Sequence, residues 1–61
     1  MIKTTIKNIE TNISKKCDIL KKNDKILEVV IENTTIKLVL YKKRNLYVTS
    51  YKGMEFISNG N

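Results

Sequence analysis

Residues 25–51 read KILEVVIENTTIKLVLYKKRNLYVTSY, and in them Leu27, Val29 and Ile31, then Ile36, Leu38 and Leu40, then Leu46 and Val48 fall at every second position. An apolar period of two places those side chains on one face of an extended chain. Three strands joined by polar turns follow, an antiparallel β-meander with one apolar face. Setting Ile31 against Ile36 also sets Val29 against Leu38 and Leu27 against Leu40, with Asn33 and Thr34 at the tip of the first hairpin. Pairing Leu40 with Leu46 and Leu38 with Val48 gives the second hairpin, closed by Lys42, Lys43 and Arg44. Lys52 and Gly53 then turn the chain toward a short final strand containing Met54, Phe56 and Ile57.

Upstream of the meander the pattern changes. Met1 to Lys7 reads as a short extended lead-in. Ile9, Ile13, Cys17 and Leu20 are then spaced by four, four and three, one stripe of a helix over about residues 9–22. Asn8 suits its N-cap, and Lys21 and Lys22, followed by Asn23 and Asp24, place cations at the negative end of its dipole. The expected fold is therefore α+β, a single small domain over residues 1–61. Its one amphipathic helix packs on a three- to four-stranded antiparallel meander over about residues 25–57, with Phe56 as a lid.

Composition narrows the function. Twelve Lys and Arg against six acids give the 61-residue chain a net charge of +6, which favours nucleic acid or an acidic protein face. A chain this short hides only about 60% of the surface its unfolded form exposes, too little for a substrate cavity with its own supporting shell. There is no His, and the single Cys17 permits neither an internal disulfide nor a zinc site built from cysteine and histidine. Cys17 is expected to pack as a small apolar side chain. With no nucleophile beside a base and no obvious carboxylate pair, the chain reads as a non-enzyme that needs no cofactor and no metal. Lys3, Lys7 and Glu10 interrupt every apolar run near the N-terminus, so the expectation is a soluble cytoplasmic protein with no membrane partner.

In this register the sheet face turned away from the core carries Ile26, Glu28, Val30, Lys37, Val39, Tyr41, Tyr47, Thr49 and Tyr51. All three tyrosines share it. The candidate binding face is Lys37, Val39, Tyr41, Tyr47, Thr49 and Tyr51, with Lys42, Lys43, Arg44 and Lys52 as candidate phosphate contacts. Two partners fit. Either another protein or a second copy covers the tyrosine-bearing face or the exposed edge strand, in the manner of small regulators and inhibitors from mobile elements. Or single-stranded nucleic acid, RNA in particular, stacks its bases on the rings while the cations hold phosphates.

The segment Lys37 to Tyr51 also resembles the strand pair that leads into the active site of ribosome-inactivating proteins, Shiga-type A chains above all. Asn45-Leu46-Tyr47-Val48-Thr49, followed by a small residue and an aromatic, carries the likeness. The resemblance implies that Tyr47 stacks on a purine base. The family's later Glu-Ala-x-x-Arg type segment has no counterpart in these residues. Without a carboxylate and an arginine to stabilise an oxocarbenium-like species and a departing base, stacking cleaves nothing.

Overall fold

The alternating segments are strands, and so is the segment that reads as a helix. The structure, a computed structural model, describes residues 2–60. They form β1 (Lys3–Asn8), β2 (Ser14–Lys22), β3 (Ile26–Ile31), β4 (Lys37–Lys43), β5 (Leu46–Tyr51) and β6 (Met54–Ser58). Neighbours in sequence pair antiparallel, and β6 returns to β1 to close a six-stranded barrel. The α+β expectation is thus corrected to all-β, because no helix occurs among the described residues.

The correction centres on residues 9–22. A strand here gains hydrogen-bonded partners on both sides, β1 at Thr4↔Cys17 and β3 at Cys17↔Ile31. A lone helix would leave β1 and β3 with open edges. The supposed helical stripe is mostly wet: Ile9, Ile13 and Leu20 are 45%, 57% and 48% exposed, and only Cys17 of the four is buried. The spacing of three between Cys17 and Leu20 marks a bulge, since the β2–β3 register shifts between Ile19 and Lys21. Thr11, Asn12 and Ser14 are also weak helix formers that favour turns. Asn8 does cap backbone N–H groups, but those of a turn. Its side-chain oxygen accepts from Glu10 N at 2.9 Å while Asn12, at φ 60°, reverses the chain into β2.

The first hairpin keeps the register that alternation dictates, with Leu27↔Leu40 and Val29↔Leu38 paired. The second does not. Its pairs are Lys43↔Leu46, Lys42↔Tyr47 and Tyr41↔Val48, so the expected Leu40–Leu46 and Leu38–Val48 pairs are corrected by three positions. An odd slip exchanges the two faces of a strand. Tyr47, Thr49 and Tyr51 therefore point inward and Leu46 and Val48 outward, the reverse of the expected assignment. The final hairpin turns at Lys52 and Gly53, both at positive φ, and its register is Tyr51↔Met54 through Tyr47↔Ser58.

Ile6, Cys17, Leu27, Val29, Leu38, Leu40, Tyr47 and Phe56 fill the barrel. The β1–β6 seam is short, with Lys7↔Ile57 and Asn8↔Phe56 as its ladder. Beyond the ladder the buried hydroxyls of Thr4 and Ser58 meet at 3.1 Å, so side chains close the wall where backbones part. Closure removes the exposed edge strand that the sequence suggested as a docking edge.

Candidate interaction surface

The barrel has two distinct outer regions, and the register decides both. Ile26 stands opposite Tyr41, Tyr41 opposite Val48 and Val48 opposite Ile57, so these four side chains run in one row across the outside of β3, β4, β5 and β6. Residues directly opposed on neighbouring strands share a face and lie close enough to touch. Tyr41 is 60% exposed and Leu46, two positions from Val48, is 38% exposed. Shallow hollows flank Val48, one lined by Lys43, Arg44, Asn45 and Leu46, the other by Tyr41, Lys43, Ser50 and Glu55 among others. The interior is already filled by other side chains, so this apolar row contributes nothing to the core.

The second region is the end of the barrel where the β2–β3 turn, the β4–β5 turn and the C-terminal segment meet. Tyr47 organises it. The ring is only 3% exposed, and its hydroxyl donates to Asn23 O at 2.7 Å, pinning the β2–β3 turn. Burial of a tyrosine with its hydroxyl satisfied is the ordinary way to use its large ring in a core. Gly60 packs against the same ring at φ 80°, where a Cβ would lie 2.9 Å from Tyr47 Cε2. Lys22 Nζ donates to Gly60 O at 2.9 Å, and Lys42 Nζ lies 5.3 Å from the Tyr47 ring centroid. Lys42 N also donates to Lys25 O at 2.8 Å, which brings the two turns together.

The structure thus divides the candidate binding face. Lys37, Val39 and Tyr41 point outward on β4, and Lys37 lies 3.9 Å from Glu28. Tyr47, Thr49 and Tyr51 point into the barrel, Tyr47 fully and the other two half-buried. The three tyrosines do not form one platform, and the ring to which the resemblance assigns base stacking is a core residue. Of the candidate phosphate contacts, Lys42, Lys43 and Arg44 lie together at the end organised by Tyr47. Lys52 sits at the opposite end, its ammonium 5.5 Å from the Tyr51 ring centroid. Lys21, Lys22 and Lys25 join the first three, a gathering hidden from a reading that put two of them on a helix.

Alternation already places Ile26 on the outer face, and the residues missed from the sequence are Leu46, Val48 and Ile57. A signal existed for one of them: Phe56-Ile57 is a consecutive apolar pair in a strand, so one member must face outward. Elsewhere, Lys3 bridges Asp18 and Glu32 on the barrel wall, and those two carboxylates hold its ammonium above the usual lysine range. Loss of solvent pushes the buried Cys17 thiol up as well. No group of three or more metal-ligating side chains exists among the described residues, and no helix there is long and apolar enough to cross a membrane. No family model, curated protein or solved structure matches this chain.

Proposed function

We propose that this chain is a non-enzymatic interaction module that binds another protein through the outer face of β3–β6. The observation that carries the reading is the row Ile26, Tyr41, Val48 and Ile57, continued by Leu46 and Val39, on the outside of a barrel with a separate, filled core. An apolar patch of this kind is the usual centre of a protein contact, with charge at its rim. The rim here carries the acids Glu28 and Glu55 but more cations than acids. Lys43 stands opposite Leu46, Arg44 follows it in the turn, and Lys7 stands opposite Ile57. Two copies meeting on this face would bring like charges together, so the partner has an apolar centre and an acidic rim. The enclosed Cys17 thiol, with solvent excluded from it, supports the non-enzymatic part of the reading.

The test is selection from a displayed peptide library, followed by titration of the selected peptides against wild type and a Tyr41→Asp, Val48→Asp double variant. The expected ligands combine aromatic or aliphatic anchors with Asp and Glu, and lose about tenfold or more in affinity on the double variant, the size of one desolvated anchor. Peptides that bind both proteins equally would remove the face as the binding surface. A concentration-dependent dimer broken by the same substitutions would replace the foreign partner with a second copy.

A further inference from the structure

The charge of this barrel is gathered at one pole. Lys21, Lys22, Lys25, Lys42, Lys43 and Arg44 lie at the ends of β2 and β4 and in the two turns organised by Tyr47, with Asp24 among them and Glu28 opposite Lys21. That is half of the chain's twelve cations and two of its six acids. The opposite end carries Glu10, Glu32 and Glu55 against Lys7, Lys15, Lys37 and Lys52. Among the described residues the ion pairs involve Lys3 and Lys37, and none involves a cation of the pole. Lys22 spends its ammonium on a backbone carbonyl, and Lys42 rests over a ring.

Such crowding of like charge costs folding energy through self-repulsion. The fold nevertheless holds the pole rigidly: the Tyr47 hydroxyl fixes Asn23, Lys42 N fixes Lys25, and Asn23 Oδ1 accepts from Lys25 N and Ile26 N at 2.8 Å each. The cations therefore stand on ordered backbone rather than on loose loops. We infer that this pole binds the phosphate backbone of a nucleic acid, a site that adjoins the apolar row of the barrel wall at Lys43 and Arg44.

Chemistry distinguishes the two surfaces. A protein contact needs an apolar centre that excludes water, and the wall has one. The pole is built of ammonium and guanidinium groups around a buried ring, with the exposed Leu20 and Leu46 at its margins rather than its centre. That composition suits a ligand that presents evenly spaced anions and is held by counterion release. Tyr47 takes no part in stacking because it lies beneath the cations. Recognition at the pole is consequently indifferent to base sequence.

The experiment is fluorescence anisotropy of a labelled mixed-sequence RNA oligonucleotide of about 20 nucleotides, titrated with the full chain at several salt concentrations. Two variants of equal net charge are compared: Lys25→Glu, Lys43→Glu, Arg44→Glu at the pole, and Lys7→Glu, Lys15→Glu, Lys16→Glu on exposed positions elsewhere. The pole variant is expected to lose at least about tenfold in affinity while the other stays within about threefold, and wild-type affinity should fall steeply and linearly in log–log form as salt rises. Circular dichroism melts of both variants establish that each is folded. Equal losses in the two variants would overturn the pole as a site and leave only diffuse attraction. Equally tight binding of polyglutamate at matched charge would overturn nucleic acid as its ligand in favour of an acidic protein segment.

Discussion

The β3–β4 and β4–β5 hairpins share a strand and have nearly the same alternation, yet one pairs as its apolar residues suggest and the other is displaced by three positions. In the first, the inward set Leu27, Val29, Leu38 and Leu40 is wholly aliphatic while the other face mixes Ile26, Val30, Val39 and Tyr41 with the charged Glu28 and Lys37, so an odd slip would turn a glutamate and a lysine into the core. In the second, β5 has apolar or aromatic residues on both faces, Leu46 and Val48 on one, Tyr47 and Tyr51 on the other. Either set could cover a core. Register is strongly specified only where one face alone can be buried. Where both can, the turn and the closure of the barrel decide. A two-residue turn at Arg44-Asn45 and the antiparallel return of β6 to β1 bring the larger rings inside.

The sharpest way to break this comparison is Tyr47→Ala. In the observed register it removes a core ring and leaves Asn23 O without its donor, at a cost of about 3–5 kcal/mol. A domain of this size has total stability of that order, so the variant should lose its cooperative thermal transition. A variant that melts near wild type would restore the register in which Tyr47 faces solvent. Tyr47→Phe separates ring from hydroxyl and should cost about 1–2 kcal/mol in a urea titration.

Gly60→Ala tests whether the C-terminal segment is part of the same core. Its φ of 80° disfavours a side chain, and the added Cβ would meet Tyr47 Cε2 at 2.9 Å. The expected loss is about 1–2 kcal/mol, read as a lower urea midpoint with an unchanged slope. No loss would place residues 59–60 outside the cooperative unit.

The turn itself sharpens the comparison at smaller scale. Arg44 sits at φ 59°, where a glycine carries no steric penalty, so Arg44→Gly should raise stability by up to about 1 kcal/mol after the entropy of the unfolded chain is counted. The five-residue loop of the expected register would place no such demand on Arg44. Asn33, at φ 65° in the first hairpin, is a residue that tolerates this conformation, and Asn33→Gly should gain less. The smallest effect belongs to Val48→Thr. On an outer face it should shift stability by no more than about 0.5 kcal/mol, whereas a core valine would cost far more.

Asn8 and Cys17 show how the helix came to be read where a strand exists. A spacing of four, four and three fits one helical stripe, and a side chain capping nearby N–H groups fits a helix start. Neither feature is exclusive to helices. An Asx turn uses the same capping bonds, and a bulge at Leu20 produces the same odd spacing. What excludes the helix is remote: β3 needs a partner for its second edge and β6 needs β1. The lysines of β2 are tolerated because most of that strand's side chains stand in solvent.

Local chemistry in the sequence dictated the strands of the first hairpin, their register, the turn at Lys52-Gly53, the buried thiol and the excess of positive charge. Those features depend on residues close along the chain, where alternation, turn preference and charge act directly. Closure into a barrel, the face presented by Tyr47, the apolar row from Ile26 to Ile57 and the gathering of cations at one pole came only with the tertiary structure. Each requires segments far apart in the chain to satisfy one another's hydrogen bonds and fill one another's space. A pattern within a single strand specifies that it has two faces, and the rest of the molecule specifies which of them is inside.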